Sequence, residues 1–407
     1  MRTPTILLAC LALALTACGD GSAGDGAGGG SGSGGGGASS GGGSGGSGGT
    51  AGTGGTAGTG GTAGTGGSAG TGGAAGTGGT AGTGGAFGDP IVATAEQWTW
   101  VDFPDSSCAN GTATGIGVNP GTGTDVLIYL EGGGACWDQL TCYTLQTATN
   151  ITSGYDSAAF TAMEPNLHGS IFNRSDASNP FADASYYYVP YCTGDVHAGN
   201  AVNDYGGITT THAGYANIGA FLRRIVPTHP SATRVYLSGS SAGGYGAAAN
   251  WLRTQEAFGS IPVDAIDDSG PWLPNPILSE SLEQAWRTAW GLDANLPAGC
   301  TACLDDLGAI VPYVAAQLPN DRFGLLSFTE DTVIPSYFQI NATSFATGLE
   351  DIRTSLSALP NAEVMYITGQ GHVTLGDWTN LSEGGVTVRD WVTALATGDV
   401  TWTEVVP

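Results

Sequence analysis

From about residue 125 to the C-terminus, short apolar runs alternate with longer stretches of helical spacing. Residues 125–130 (Asp-Val-Leu-Ile-Tyr-Leu) form one such run, which stops at Gly132-Gly133-Gly134 and reads as a buried strand. Residues 185–190, 234–240, 322–328 and 362–368 repeat the pattern, and residues 265–268 form the tip of a further strand. Residues 216–226 have helical spacing, and small residues at 247–252 open another helix. Val388, Trp391, Val392 and Leu395 mark a closing amphipathic helix within 387–396. Strands alternating with helices predict an α/β fold, with a mostly parallel central sheet and helices on both faces. In such sheets, functional groups gather at the carboxyl ends of the strands.

The first 86 residues follow a different logic. Arg2, an apolar stretch over 6–17 and the sequence Leu15-Thr16-Ala17-Cys18 resemble a bacterial lipoprotein signal. The resemblance implies cleavage before Cys18 and lipid on its thiol, leaving 1–17 as signal peptide. Gly19 after that cysteine favours an outer-membrane or cell-surface destination. Residues 18–86 are almost entirely Gly, Ser, Thr and Ala, with six hexads of the type Thr-Ala-Gly-Thr-Gly-Gly between Thr50 and Gly85. Such a tract cannot bury enough apolar surface to fold and reads as a disordered tether, spanning roughly 45 Å on average. The folded domain is expected over 87–407, long enough for one large α/β unit.

Charge narrows the partners. Asp and Glu number 35 against 10 basic residues, all arginine, for a net charge of −25. That balance argues against nucleic acid and against docking on anionic lipid, so membrane attachment is expected only through the lipid on Cys18. It also argues against long-range attraction of a polyanion. A monomer is expected.

Six cysteines remain once Cys10 leaves with the signal and Cys18 takes lipid. An even number in an exported chain suggests disulfides, with fifteen possible connectivities. Close spacing favours Cys136–Cys142 and Cys300–Cys303 as local clips, which leaves Cys108–Cys192. Cys300-Thr301-Ala302-Cys303 lacks the second Cys pair or the histidine that a redox or zinc reading needs, and no metal is expected.

The candidate chemistry centres on Gly239-Ser240-Ser241-Ala242-Gly243. Ser44, Ser47 and Ser68 match the same G-x-S-x-G pattern, but only Ser241 has a strand before it and a helix after it. This is the context of the nucleophile elbow of an α/β-hydrolase. A serine hydroxyl needs a base, and the base an orienting carboxylate. In the chain order Ser, acid, His, the loops after the last two predicted strands supply Asp331, with Glu330 as its rival, and His372. The other four histidines precede Ser241. Oxyanion donors are expected from the backbone of Ala242, Gly133 and Gly134. A phosphate-binding reading of the glycine turn lacks the Lys-Ser/Thr ending.

Leu130-Glu131-Gly132-Gly133-Gly134-Ala135-Cys136-Trp137 resembles the oxyanion segment of the pectin acetylesterase and Notum family. Residues 171–174, 179–181, 189–199 and Asp268-Ser269-Gly270 resemble further blocks of it. The likeness runs from about Gln97 to the C-terminus and implies a Ser-Asp-His carboxylester hydrolase needing no cofactor. Mapped onto this chain, the family's motifs give Ser241, Asp331 and His372, with Gly133, Gly134 and Ala242 as oxyanion donors.

The loop from Tyr191 to Gly199, with Asp195 and His197, either lines the cleft or is a structural loop pinned by Cys192. Trp137 and Trp272 either stack on a sugar ring or pack in the core. The expected substrate is an O-acetyl group on an extracellular polysaccharide, or a small ester. The alternatives are a lipid-acyl esterase of Notum type, a catalytically inactive glycan-binding protein, or a structural surface protein.

Overall fold

The computed structural model describes residues 87–407. The expected signal peptide, Cys18 and the 18–86 tract lie outside the described residues.

Ten strands carry the architecture: β1 (Thr99–Phe103), β2 (Thr114–Asn119), β3 (Val126–Leu130), β4 (Ser185–Val189), β5 (Ala201–Asp204), β6 (Thr209–His212), β7 (Val235–Ser240), β8 (Val263–Asp268), β9 (Phe323–Asp331) and β10 (Ala362–Gly371). The helices used below are α1 (Ser157–Met163), α2 (Gly214–Thr228), α3 (Ala242–Phe258), α4 (Glu280–Trp290), α5 (Ile310–Gln317), α6 (Ile334–Phe338), α7 (Ala342–Leu356) and α8 (Val388–Thr397). The main sheet runs β1-β2-β4-β3-β7-β8-β9-β10. From β4 to β10 every pairing is parallel, and β1 and β2 add an antiparallel edge. β5 and β6 form a separate hairpin.

Successive strand residues point to opposite faces, so a strand covered on both sides must be apolar throughout. Val126, Ile128, Val235, Leu237 and Phe323 pack with Ile218, Phe221 and Ile225 of α2 and Trp251 of α3. Leu127, Tyr236, Ile266, Leu326 and Met365 face the other way, against Trp391, Val392 and Leu395 of α8. This is the expected α/β-hydrolase-like layering.

The structure departs from the sequence expectation at two strand ends. β9 continues to Asp331 and β10 to Gly371, and these two residues pair in register. Thr329-Glu330 and Gly369-Gln370 break the apolar pattern, so the strands look shorter in sequence than they are. Asp331 therefore ends a strand rather than sitting in a loop. β1 and β2 lie outside the expected strands: one is half-exposed and the other is rich in glycine, so neither forms an unbroken apolar run.

The three disulfides are Cys108–Cys192, Cys136–Cys142 and Cys300–Cys303. The first spans a sequence separation of 84 residues and ties the segment after β4 to the start of the domain. Loop closure of that length makes it the most stabilising of the three. Replacing Cys108 and Cys192 together with alanine is expected to lower stability by about 2–5 kcal/mol in urea denaturation. A change under about 1 kcal/mol would contradict that role.

Candidate active site

Six parallel strands end at the same edge, and each delivers one part of the site. β7 ends in Ser240, and Ser241 follows as the N-cap of α3 with φ 58° and ψ −121°. A serine seldom adopts a positive φ, and the conformation persists only where its surroundings enforce it. Here the turn is too close to its neighbours to relax. A side chain on Gly243 would sit 1.9 Å from the Leu130 carbonyl oxygen, and one on Gly239 would sit 2.3 Å from the Gly243 oxygen. The glycines flanking Ser241 are thus required by backbone approach.

His372 follows β10. Its Nε2 lies 2.8 Å from Ser241 Oγ, and its Nδ1 lies 2.8 Å from Asp331 Oδ2. A carboxylate only accepts, so Nδ1 carries the proton and Nε2 is left to accept from the serine hydroxyl. All three side chains are buried. Asp331 Oδ1 accepts from Val333 N at 2.7 Å and Ile334 N at 2.8 Å, which fixes the carboxylate plane. Glu330, one residue earlier in the strand, is exposed and receives Gln370 Nε2 at 3.3 Å. Strand alternation turns it away from the imidazole, so the geometry selects Asp331.

The glycine turn after β3 lies against the elbow: a side chain on Gly132 would be 2.6 Å from the Ser240 oxygen. Gly134 has φ 78°, and a side chain there would strike the Thr147 oxygen at 2.1 Å. The N–H groups of Gly133 and Gly134 donate to no backbone or side-chain acceptor among the described residues. The N–H of Ala242 belongs to the first turn of α3, where the helix supplies no partner. Together these groups can receive an oxyanion formed beside Ser241.

Three hydrogen bonds hold the residue before that turn. Glu131 N donates to Val189 O at 3.0 Å, Tyr191 N donates to Glu131 Oε2 at 2.8 Å, and His197 Nε2 donates to Glu131 O at 2.8 Å. This corrects the expectation that Asp195 and His197 line the cleft. Both are buried. Asp195 accepts from Thr193 Oγ1 at 2.6 Å and Gly214 N at 2.7 Å, and it shapes a loop in which Val196 and His197 both have positive φ. Val196, not its polar neighbours, faces the cleft. Trp272 takes the second of its two readings and packs in the core rather than facing a sugar. It is buried behind Tyr245, meeting that ring edge-on at 5.1 Å. Trp137 is half-buried against Trp286 at 5.9 Å and reaches the cleft only through it.

The cleft beside Ser241 is lined by Gly134, Ala135, Val196, Tyr245, Trp286, Ile334, Tyr337 and Phe338. The wall from Ile334 to Phe338 is α6, which starts three residues after Asp331. Reading it from sequence required knowing that the acid's strand ends there. No cleft residue is charged. Among the described residues every arginine is committed elsewhere, to a carboxylate, a carbonyl or a ring. No group of three or more His, Cys, Asp or Glu among the described residues could hold a metal ion.

Glu131, beside the turn, is strongly perturbed. Burial pushes it from the usual 4.5 up to about 7, against the Tyr191 N–H and Tyr188, which favour the charged form. The native state therefore keeps a proton that the unfolded chain has already released. The stability this group contributes is complete below the ordinary value of 4.5 and is lost as pH rises through about 7. Glu131→Gln is expected to flatten the fall in melting temperature over that window. An unchanged slope would contradict the assignment.

Comparison with known proteins places the chain in a family. The family described as pectinacetylesterase matches residues 96–382. Palmitoleoyl-protein carboxylesterase notum2 of Xenopus laevis is 29% identical over 179 residues, covering 41% of this chain and 35% of that protein. Palmitoleoyl-protein carboxylesterase NOTUM of Schmidtea mediterranea is 28% identical over 198 residues, covering 44% and 36%. The chain thus spans about a third of the length of these relatives. Among solved structures, the Wnt deacylase Notum from Drosophila superposes with a TM-score of 0.55 at 18% identity, covering 75% of this chain and 94% of that one. The match at that identity speaks for the α/β-hydrolase-like fold. With most of its length matched by the family's pattern, the chain belongs to the pectinacetylesterase family.

Proposed function

We propose that this protein is a serine carboxylester hydrolase in which Ser241 is the nucleophile, His372 the general base and Asp331 its orienting partner. The observation that carries the reading is the continuous hydrogen-bond chain from Ser241 Oγ through the imidazole to Asp331. In the first step Oγ attacks the ester carbonyl and its proton passes to His372 Nε2. The carbonyl oxygen takes up the negative charge against the N–H groups of Gly133, Gly134 and Ala242. The imidazolium then protonates the departing alcohol, leaving the acyl group on Ser241. Water, deprotonated by His372, releases the acid and restores the serine. The residues present suffice for this sequence of steps.

The substrate we propose is an O-acetyl group on an extracellular polysaccharide, reached by an enzyme tethered through lipid on Cys18. The family supports the acetyl reading. The uncharged cleft and the committed arginines favour a neutral polymer over a polyuronate, whose carboxylates would meet a strongly acidic protein with no free cation among the described residues to receive them. A second reading, hydrolysis of a longer acyl ester, is favoured by the apolar wall of Val196, Trp286, Ile334 and Phe338. The names of the Xenopus and Schmidtea relatives point the same way.

Ser241→Ala is expected to lower kcat on 4-nitrophenyl acetate by roughly 10³–10⁶-fold, and Asp331→Asn by about 10⁴-fold, with the fold retained. Equal turnover in wild type and Ser241→Ala would remove the mechanism. A series of 4-nitrophenyl esters from acetyl to palmitoyl separates the two substrate readings. The acetyl reading expects kcat/KM to be greatest for the shortest chain, and a maximum at long chains would favour the second.

A further inference from the structure

A second buried carboxylate sits beside the site and takes no part in the proton transfers just described. Asp268 ends β8 and is wholly inaccessible to solvent. No arginine or histidine pairs with it among the described residues. Its Oδ2 instead accepts from Ser240 Oγ at 2.6 Å and Leu375 N at 3.1 Å. Its Oδ1 accepts from Thr374 N at 2.8 Å and Thr374 Oγ1 at 2.9 Å. Its backbone oxygen accepts from Ser241 N at 2.7 Å. The next residue, Ser269, has φ 64°, and its hydroxyl lies within hydrogen-bond reach of two acceptors, the His372 carbonyl oxygen and Asp268 Oδ1, the latter at 3.1 Å. On the far side of Ser240, Tyr129 OH donates to Ser240 Oγ at 2.9 Å.

Beside the Ser241–His372 hydrogen bond itself, these contacts join the same two segments. One segment is the elbow, gripped at Ser240 and Ser241. The other is the turn after β10, gripped at His372, Thr374 and Leu375. Removing a buried carboxylate from water is costly, and the loss is recovered only if each lone pair meets a donor. A side chain kept at that cost, with donors drawn from both segments, fixes their separation.

We propose that Asp268 is a positioning residue, which with Ser269 sets the distance between the Ser241 hydroxyl and the His372 imidazole. The proposal rests on the hydrolytic reading above, and it assigns to a non-reacting acid the geometry on which that reading depends. Asp268→Asn is nearly isosteric, but it places an N–H₂ group against donors that need an acceptor, so the two segments shift relative to each other. Misplacement of reacting groups by about 1 Å costs on the order of 10²-fold in rate.

The test uses the full chain and two variants, Asp268→Asn and Thr374→Val. Turnover of 4-nitrophenyl acetate gives kcat and KM separately. Proton NMR reads the low-field resonance of the His372 N–H donated to Asp331. The expected result is a fall in kcat of roughly 10²-fold for Asp268→Asn at nearly constant KM, with the low-field resonance lost or displaced in the folded protein. Thr374→Val, which keeps the backbone donor and removes the hydroxyl, is expected to move both readouts in the same direction by less. A folded Asp268→Asn protein with wild-type kcat and an unmoved resonance would overturn the proposal. If that variant does not fold, Thr374→Val decides alone, and wild-type values for it would also overturn the proposal. The resonance is read without turnover, so an inactive wild type would count against the hydrolytic reading while the positioning role is still judged by NMR.

Discussion

An imidazole held between a hydroxyl and a carboxylate is the contact to which the rest of the site is fitted. His372 must keep Nδ1 on Asp331 and Nε2 on Ser241 at once, although the three residues come from three different strand ends. Parallel pairing makes this possible. β7, β8, β9 and β10 lie side by side and parallel, so the residues that follow them emerge along one edge. A helix-only scaffold offers no comparable row of chain ends at fixed spacing. The sheet thus supplies the coarse placement, and local hydrogen bonds supply the fine one.

Much of the fine placement is bought with strain. Val196, His197, Ser241 and Ser269 all adopt positive φ without being glycine, and all four border the site. Each is held by a specific partner: Tyr191 OH for Val196 N, Asn250 Nδ2 for the His197 carbonyl, the Asp268 carbonyl for Ser241 N, and the His372 carbonyl for the Ser269 hydroxyl. Strained residues clustered at one edge, with a buried acceptor or donor for each, indicate a site whose geometry is set before any substrate arrives. The Cys108–Cys192 bond anchors the same region from outside, since the strained loop begins at the residue after Cys192.

The sheet was legible in the sequence because its central strands are buried on both faces and so read as unbroken apolar runs. Ser241 was legible because a strand, two close-approach glycines and a helix start coincide only there. His372 followed from chain order. The cleft wall was not legible: α6 begins three residues beyond the end of an extended β9, and its apolar residues look like any core segment until that end is known. For Asp195, His197 and Trp272 the sequence left two readings open, contact with substrate or a structural role, because polar and aromatic residues beside a motif are compatible with either. Burial gives them the structural role, since Asp195 and His197 shape the loop that supports the glycine turn and Trp272 backs Tyr245. Asp268 stood inside a recognised motif, but a motif does not reveal that one carboxylate gathers donors from two distant segments.

The central claim is that an acyl group passes through Ser241. Acid quenching during turnover of 4-nitrophenyl acetate, followed by peptide mapping by mass spectrometry, tests it directly. The account predicts a single acetyl group on Ser241, accumulating in wild type and absent from His372→Ala. Sustained turnover with no acetylated peptide, or with the acetyl group on a different residue, would contradict it.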